Sequence, residues 1–498
     1  MRAKNTHPVD APLRLQDHRR PVSRRDFLAQ GFITGAAMVM APTFLSLMRA
    51  STARAQTPGC VLRAGAGLIP FICLDLAGGA SIAGSNVLVG GPNGQLDLLT
   101  GEGYSKMGLP SDMTPGNPGQ VNTELGIAFH SDSAFLRGIL SKTSVATRAN
   151  VNGTIFCARS DNDTSNNPLN PMYGINRAGA DGELVTLIGS EASESGGNSE
   201  APMSMIDPTK RPTKIDSARD ATGLIDTGNL VSLLSQAQAG QVARAAEEIS
   251  AIKLMRENED AALEAQILCN YTQTTDLIGR YGDPNLVNPL ADVDIATGAT
   301  PIFSAGELNQ GRFAKTAAVM KLVVEGYAGA GTIEEGGYDY HDSTRATGEV
   351  RDFVAGQMMG AMLEFAARRA APLMLYVISD GSLASDGVLD NSAAGRGKGI
   401  WKGDNSDTAG SLVLVYSPTA RPALTRATAN QIGYFRPSGS VETAATPVAN
   451  NVVALTEAVV LNYLALHNRV GDFGSVLPMN GLGSGAAFGN LIAFAPIV

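Results

Sequence analysis

The sequence predicts an α/β fold, a three-layer sandwich in which helices cover both faces of a mainly parallel sheet. Three observations predict it. Short apolar runs with strand character alternate with long helical patterns. The runs are apolar throughout rather than alternating, which suits strands covered on both faces. The segment RRAAPLMLYVISDG joins a helix, through a Pro, to an apolar strand, as the crossover unit of a parallel sheet does.

The first strand candidate, residues 68–76, holds Cys73 as a buried strand thiol. Further strand candidates follow at 154–158, 184–188, near Thr332, at 373–379 and at 412–416. Helices are predicted over 230–269, 308–328, 348–370 and 453–467. In the third of these, Val350, Phe353, Val354, Met358, Met362 and Phe365 fall on one face while Arg351, Asp352 and Glu364 fall elsewhere. Residues 190–216 are rich in Ser, Glu, Pro and Gly and read as a surface excursion packed locally by Met203 and Met205. Residues 217–281 read as a helical insert, with Val242, Ala246, Ile249 and Ile252 at helical spacing. The expected organisation is one α/β domain over 56–498, carrying the excursion and the helical insert at about 189–330.

The 498 residues are 44% hydrophobic and 17% charged, a globular composition that excludes a disordered tail and a disulfide mini-scaffold. A net charge of −9 argues against a nucleic-acid partner, because neutralising phosphates takes a clustered Lys/Arg excess. Residues 1–55 are different in kind. They hold nine Lys/Arg and three Asp/Glu, so 29 basic and 44 acidic residues remain beyond them, a net of −15.

This basic end reads SRRDFL, with Arg24 and Arg25 followed by an apolar run to Met48 and the small-residue triplet Ala53-Arg54-Ala55. It has the pattern of a twin-arginine signal peptide cleaved after Ala55. The run is Gly- and Ala-rich and broken by Pro42, which favours a signal over a membrane anchor. That pattern implies passage through the twin-arginine translocase, a periplasmic or extracellular destination, and no stable membrane span after cleavage. Four cysteines survive it, Cys60, Cys73, Cys157 and Cys269, spaced too widely for a zinc knuckle and open to three pairings if all are bonded.

Ligands in open α/β sheets bind beyond the carboxyl ends of strands, so the polar loops there are the first places to look for chemistry. GGASIAGSN follows the first strand, GGYDYHD follows the strand near Thr332, and DGSLASDG with GKGIWKGDNSD follows the strand ending at Ser379. These loops supply Asp339, His341, Asp342, Asp380, Asp386, Asp404 and Asp407, a carboxylate-rich set with one imidazole. It suits a divalent cation, whether zinc, calcium or magnesium. Taken singly, each loop also reads as ordinary turn chemistry. A further loop, SDNDTSNNPLNP, offers Ser160 or Thr164 as a hydroxyl nucleophile and Asp161, Asn162 and Asp163 as oxygen ligands. No GxGxxG, GxSxG or P-loop pattern is present.

The SRRDFL signal, the strand running into GGAS, the GGYDYH segment before a long helix and the strand ending in SDGS together resemble an exported family, domain of unknown function 1501. That family belongs with sulfatase-like relatives of the alkaline phosphatase superfamily. Gly336 to His341 match its GGWDTH-type motif, Asp380 stands where it has the Glu of SEFGR, and Asp404 with Asn405 stands where it has an Asp-His pair. Residues 462–478 are similar to its closing segment.

The resemblance implies an alkaline-phosphatase-like fold, metal ligands at Asp339, His341, Asp380 and Asp404, and metal-dependent hydrolysis of phosphate or sulfate esters, the substrate being a small anionic ester. The nucleophile candidates are Ser81, Ser160 and Thr164. Three departures imply a weakened or retuned site: Ser81 in place of an acidic residue, Asn405 in place of a His, and no Arg after Asp380. They also support the alternative of a non-catalytic exported protein that binds a partner protein in a secretion or surface-assembly system.

Overall fold

A computed structural model describes residues 67–160, 167, 169–225, 238, 241–242, 244–245, 248–249, 276, 279–281, 283–483 and 485–498. The signal segment, Cys60, Cys269, residues 161–164 and most of the helix read over 230–269 lie outside the described residues.

The fold is built on one mixed, mostly parallel sheet of eight strands. In chain order these are β1 (Phe71–Ala77), β2 (Val151–Phe156), β3 (Val185–Gly189), β4 (Thr213–Lys214), β5 (Ala328–Gly336), β6 (Leu373–Ile378), β7 (Ser411–Tyr416) and β8 (Gln431–Ile432). Across the sheet the order is β8-β2-β7-β6-β1-β5-β3-β4. β1 lies between β5 and β6 and is parallel to both.

The helices that cover the sheet are α1 (Ala134–Lys142), α2 (Met172–Arg177), α3 (Gly311–Val324), α4 (Ala346–Arg368) and α5 (Val452–Leu466). Strand side chains alternate between two cores. Ile72, Leu74, Leu76, Leu375, Val377, Leu412 and Leu414 pack on the side of α1, α3 and α4. Phe71, Cys73, Met374, Tyr376, Val413 and Val415 pack on the side of α2 and α5. Every residue of β2, β6 and β7 is buried, and β6 (LMLYVI) and the LVLVY of β7 accordingly read as apolar runs, whereas β2 (VNGTIF) buries Asn152 and Thr154 as well.

β7 departs from the expected parallel direction: it is antiparallel to both β2 and β6. The physical reason lies in the connection. A parallel return needs a crossover back to the opposite edge of the sheet. Between Ile378 and Ser411 the chain forms only short paired segments and a 3-10 turn, so β7 starts at the edge where β6 ended. The excursion after β3 also contributes more than a surface loop, since Thr213–Lys214 pairs with β3 as the edge strand β4.

Helix boundaries follow local chemistry. α3 stops short of the expected 328 because Gly326 takes a left-handed turn, φ 80°. α4 ends before Ala371-Pro372, with Ala370 left-handed at φ 49°. Its N-terminus has no side-chain cap of its own, and Asp390 supplies one from another loop by accepting from the backbone N–H of Arg345 (3.0 Å) and Ala346 (3.3 Å). Cys73 and Cys157 are buried free thiols, both pushed up by burial. No helix among the described residues is long and apolar enough to cross a membrane.

Candidate metal centre

The site is assembled at the carboxyl edge of the sheet, where β1, β5 and β6 end. After β5, exposure alternates along the chain: Gly337 and Asp339 are exposed and His341 half-buried, whereas Tyr338 and Tyr340 are buried. The two tyrosines are anchors. The Tyr338 hydroxyl donates to the Arg351 carbonyl at 3.0 Å, and the Tyr340 hydroxyl donates to Asp352 Oδ1 at 2.8 Å while accepting from Ser81 N–H at 3.0 Å. With alternate rings held inward, Asp339 and His341 are presented together on the outward side.

The loop after β1 contributes backbone to this arrangement. Gly78 passes so close beneath Asp339 that a Cβ on it would lie 2.8 Å from Asp339 N, and its φ of 117° favours glycine. Its N–H donates to Asp380 Oδ1 at 2.8 Å. Ser379 Oγ accepts from Gly79 N–H (3.0 Å) and Ala80 N–H (2.6 Å) and donates to the Leu76 carbonyl (2.6 Å).

Asp404 arrives on a short antiparallel pair, Leu383–Ala384 with Gly403–Asp404. That pair is tied to the His341 loop through Trp401. Ser343 N–H donates to the Trp401 carbonyl, and Trp401 N–H to the Thr344 carbonyl, both at 3.0 Å. The Trp401 ring is fully buried, with the Arg345 guanidinium 4.4 Å from its centroid and Tyr340 packed at 6.5 Å.

One ligand atom from each of Asp339, His341 and Asp404 falls within 4.8 Å of the others. His341 Nδ1 contacts Asp339 Oδ1 and lies 3.3 Å from Asp404 Oδ1. That nitrogen is shut off from solvent and makes no hydrogen bond. A ring nitrogen closed off from solvent and facing two carboxylate oxygens is a donor set that a divalent cation with mixed nitrogen and oxygen ligands can use.

The other sequence candidates are placed differently. Asp380 is fully buried and outside this group, with one oxygen committed to Gly78 N–H. Ser81 is 1% exposed beneath Tyr340, and Ser160 is 5% exposed, accepting from Asn167 Nδ2 at 3.0 Å. Neither presents a hydroxyl to solvent. Asn405 caps the following turn by accepting from Asp407 N–H (2.9 Å) and Thr408 N–H (3.1 Å). Asp342 is bonded to Thr344 and Thr347, Asp386 to Val388 N–H, and Asp407 pairs with Arg159.

The remaining described imidazoles have structural partners. His467 Nε2 accepts from Ile69 N–H at 3.1 Å, which leaves Nδ1 to donate to the Tyr463 carbonyl at 2.7 Å. His130 Nδ1 accepts from Asp132 N–H at 3.1 Å and Nε2 faces the Met113 carbonyl; burial pushes this ring down to about 4.

Family models, curated proteins and solved structures give no match to the chain.

Sequence reasoning missed the parts that hold the ligands: Tyr338, Tyr340, Asp352 and Trp401. The signal for two of them was present, since aromatic residues at i and i+2 alternating with Asp and His describe an extended segment with one buried face. Asp75 is a further buried carboxylate, lying inside β1. It accepts from Asn198 N–H (2.8 Å), Ser199 N–H (2.7 Å) and the Ser199 hydroxyl (3.1 Å).

Burial pushes the Asp75 carboxyl up to about 7, with Asp380 and Glu334 adding to the rise and the two backbone donors opposing it. A carboxyl raised in the folded state costs stability increasingly as pH rises from about 4 toward 7. Asp75→Asn keeps an acceptor for both N–H groups and removes the buried charge. The variant is expected to gain stability over wild type at pH 8, with a smaller gain at pH 5. Urea midpoints at the two pH values check this, and an equal gain at both would refute it.

Proposed function

We propose that this chain is an exported protein that holds one divalent cation at Asp339, His341 and Asp404 and hydrolyses small phosphate or sulfate esters there. The observation that carries the reading is the meeting of three donor atoms from two separate loops, one of them an imidazole nitrogen closed off from solvent between the two carboxylates. The alkaline-phosphatase-like assignment belongs to the same proposal, supported by ligand loops at the carboxyl edge of a mostly parallel sheet. Fold likeness alone would not carry the activity.

A bound divalent ion would supply Lewis acidity, polarising an ester oxygen and making a water molecule more acidic. The chain's own residues do the rest. Asp339 and Asp404 bring the negative charge that a cation requires, and their side chains are 49% and 48% exposed, open to a ligand from solvent. Tyr338 and Tyr340 fix the outward face of the Asp339 and His341 segment. With Ser81 and Ser160 buried, water is the attacking group in this reading rather than a serine hydroxyl. Export rests on the SRRDFL segment. Arg24→Lys with Arg25→Lys is expected to hold the chain in the cytoplasm, as cell fractionation would read.

A second reading is supported by the commitment of Asp380 to Gly78 and of Asn405 to its own turn, which leaves fewer ligands than the family pattern implies. In that reading the chain is a non-catalytic exported partner-binding protein. Metal analysis of the purified full chain after incubation with zinc, calcium or magnesium, with turnover of aryl phosphate and aryl sulfate esters, separates the two. Near-stoichiometric metal with turnover supports the hydrolase. Metal without turnover supports the accessory role, and negligible metal uptake sinks the cation site.

A further inference from the structure

We infer that Arg351 is the residue that binds the anionic group of the substrate, a tetrahedral phosphate or sulfate oxyanion, beside the Asp339, His341 and Asp404 group. The inference rests on the metal reading above and names the chain's own recognition element for its ligand.

Arg351 stands in the second turn of α4, directly under the segment that carries two of the ligands. Its carbonyl receives the Tyr338 hydroxyl, which fixes the helix to that segment. Its guanidinium lies against Gly337: a Cβ there would sit 2.9 Å from Cζ, 3.0 Å from Nη2 and 3.2 Å from Nη1. The guanidinium therefore takes the space that a side chain at Gly337 would fill. Gly337 has φ 88° and no side chain, so both its conformation and its bareness admit the guanidinium.

The exposure pattern places Gly337 on the ligand-bearing segment. Gly337, Asp339 and His341 face outward while Tyr338 and Tyr340 face inward. A guanidinium against exposed Gly337 lies beside the segment that carries Asp339 and His341, two residues from the first of them. Two residues of chain separate Gly337 from Asp339, so their Cα atoms lie at most about 7 Å apart. An oxyanion with one oxygen toward the cation site and another toward the guanidinium spans most of that distance.

Charge bookkeeping around the end of β5 leaves Arg351 over. Lys315 lies 3.3 Å from Glu334 and 3.1 Å from Glu335, and Arg312 lies 3.6 Å from Glu335. Those cations already match the two nearby glutamates. Arg351 makes no ion pair and no side-chain hydrogen bond among the described residues. Its planar fork of donors suits two oxygens of one phosphate or sulfate. Asp339 and Asp404 would repel such an anion on their own, so anion binding is expected only when a divalent ion neutralises them.

The test titrates inorganic phosphate, and separately sulfate, into the full chain loaded with zinc and stripped of it, read by calorimetry and by fluorescence of the single tryptophan, Trp401. The loaded wild type is expected to bind and the stripped form to bind at least about tenfold more weakly. Arg351→Gln is expected to lose at least about tenfold in phosphate affinity with its zinc content unchanged, and Arg351→Lys to recover part of it. Arg436→Gln, which removes an exposed cation paired with Glu442, is expected to bind as wild type does. Equal phosphate affinity in wild type and Arg351→Gln overturns the inference, as does a loaded wild type that binds neither anion. Should the chain take up no metal while phosphate binding is still lost in Arg351→Gln, the anion site stands and the metal reading falls.

Discussion

His341→Ala is expected to lower the affinity of the chain for a divalent ion by two to three orders of magnitude, and His341→Ala with Asp339→Ala to abolish uptake at micromolar metal. The size follows from general energetics. A structural zinc site with four ligands is worth about 10–16 kcal/mol, so one ligand carries about 3–4 kcal/mol, and each 1.4 kcal/mol is tenfold. A group of three ligands has little redundancy to absorb the loss. The imidazole is the only nitrogen donor of the three, and its Nδ1 faces both carboxylates. Affinity should also fall on acidification, because these ligands bind metal only in their deprotonated forms.

The informative comparison is Asp380→Asn. Its Oδ1 accepts from Gly78 N–H, a bond the amide oxygen can keep, and it stands outside the group of three. Metal content in this variant is expected to match wild type, as measured by elemental analysis after dialysis. If Asp380→Asn loses metal as fully as His341→Ala does, the ligand set drawn from the sequence is right and the three-residue group is wrong.

Gly356→Ala is expected to destabilise the fold by about 1–3 kcal/mol, although alanine is intrinsically the better helix former by about 1 kcal/mol. α1 and α4 touch backbone to backbone. A Cβ on Gly356 would meet the Phe135 carbonyl oxygen and lie 2.9 Å from Gly138 Cα. A Cβ on Gly138 would meet the Phe353 carbonyl oxygen and lie 2.6 Å from Gln357 N. Gly360 repeats the close approach one turn on, 2.8 Å from the Ile139 carbonyl oxygen. Backbone atoms cannot swing aside as a side chain can, so the added methyl pushes the helices apart and the packing loss exceeds the propensity gain.

The double variant Gly138→Ala with Gly356→Ala should cost less than the sum of the two, since one separation relieves both clashes. Gly311→Ala serves as the contrast. It opens α3 with nothing within 4 Å of a Cβ, and it is expected to be neutral or slightly stabilising. Denaturant midpoints of wild type and the four variants check the series, and a Gly356→Ala variant more stable than wild type would remove the close-approach argument.

The sequence made the two-sided sheet legible for a local reason: β6 and β7 are buried on both faces, so their residues are apolar with little alternation. α4 was legible in its extent, from Pro372 beyond its end, but not in its face: Val350 is exposed, whereas Asp352 and Glu364, expected off the apolar face, are buried. Asp339 and His341 were legible as a pair because an extended segment places i and i+2 on one side. The antiparallel direction of β7 was not legible, because apolarity carries no sign. The depth of Ser81 and Ser160 was hidden too, since a serine after a strand looks alike in sequence whether it faces solvent or lies under a tyrosine.

What the sequence by itself determined was which residues had to be covered and which loops, at one edge of a sheet, could carry chemistry. The tertiary structure alone decided which carboxylate reaches the imidazole. Asp380 and Asp404 are indistinguishable as Asp residues in glycine-rich loops. One is drawn inward because Gly78 has an N–H to satisfy, and the other is carried to His341 because Trp401 ties its strand to Ser343 and Thr344. The demand that buried backbone donors find acceptors acts through contacts between distant segments, and no local pattern records it.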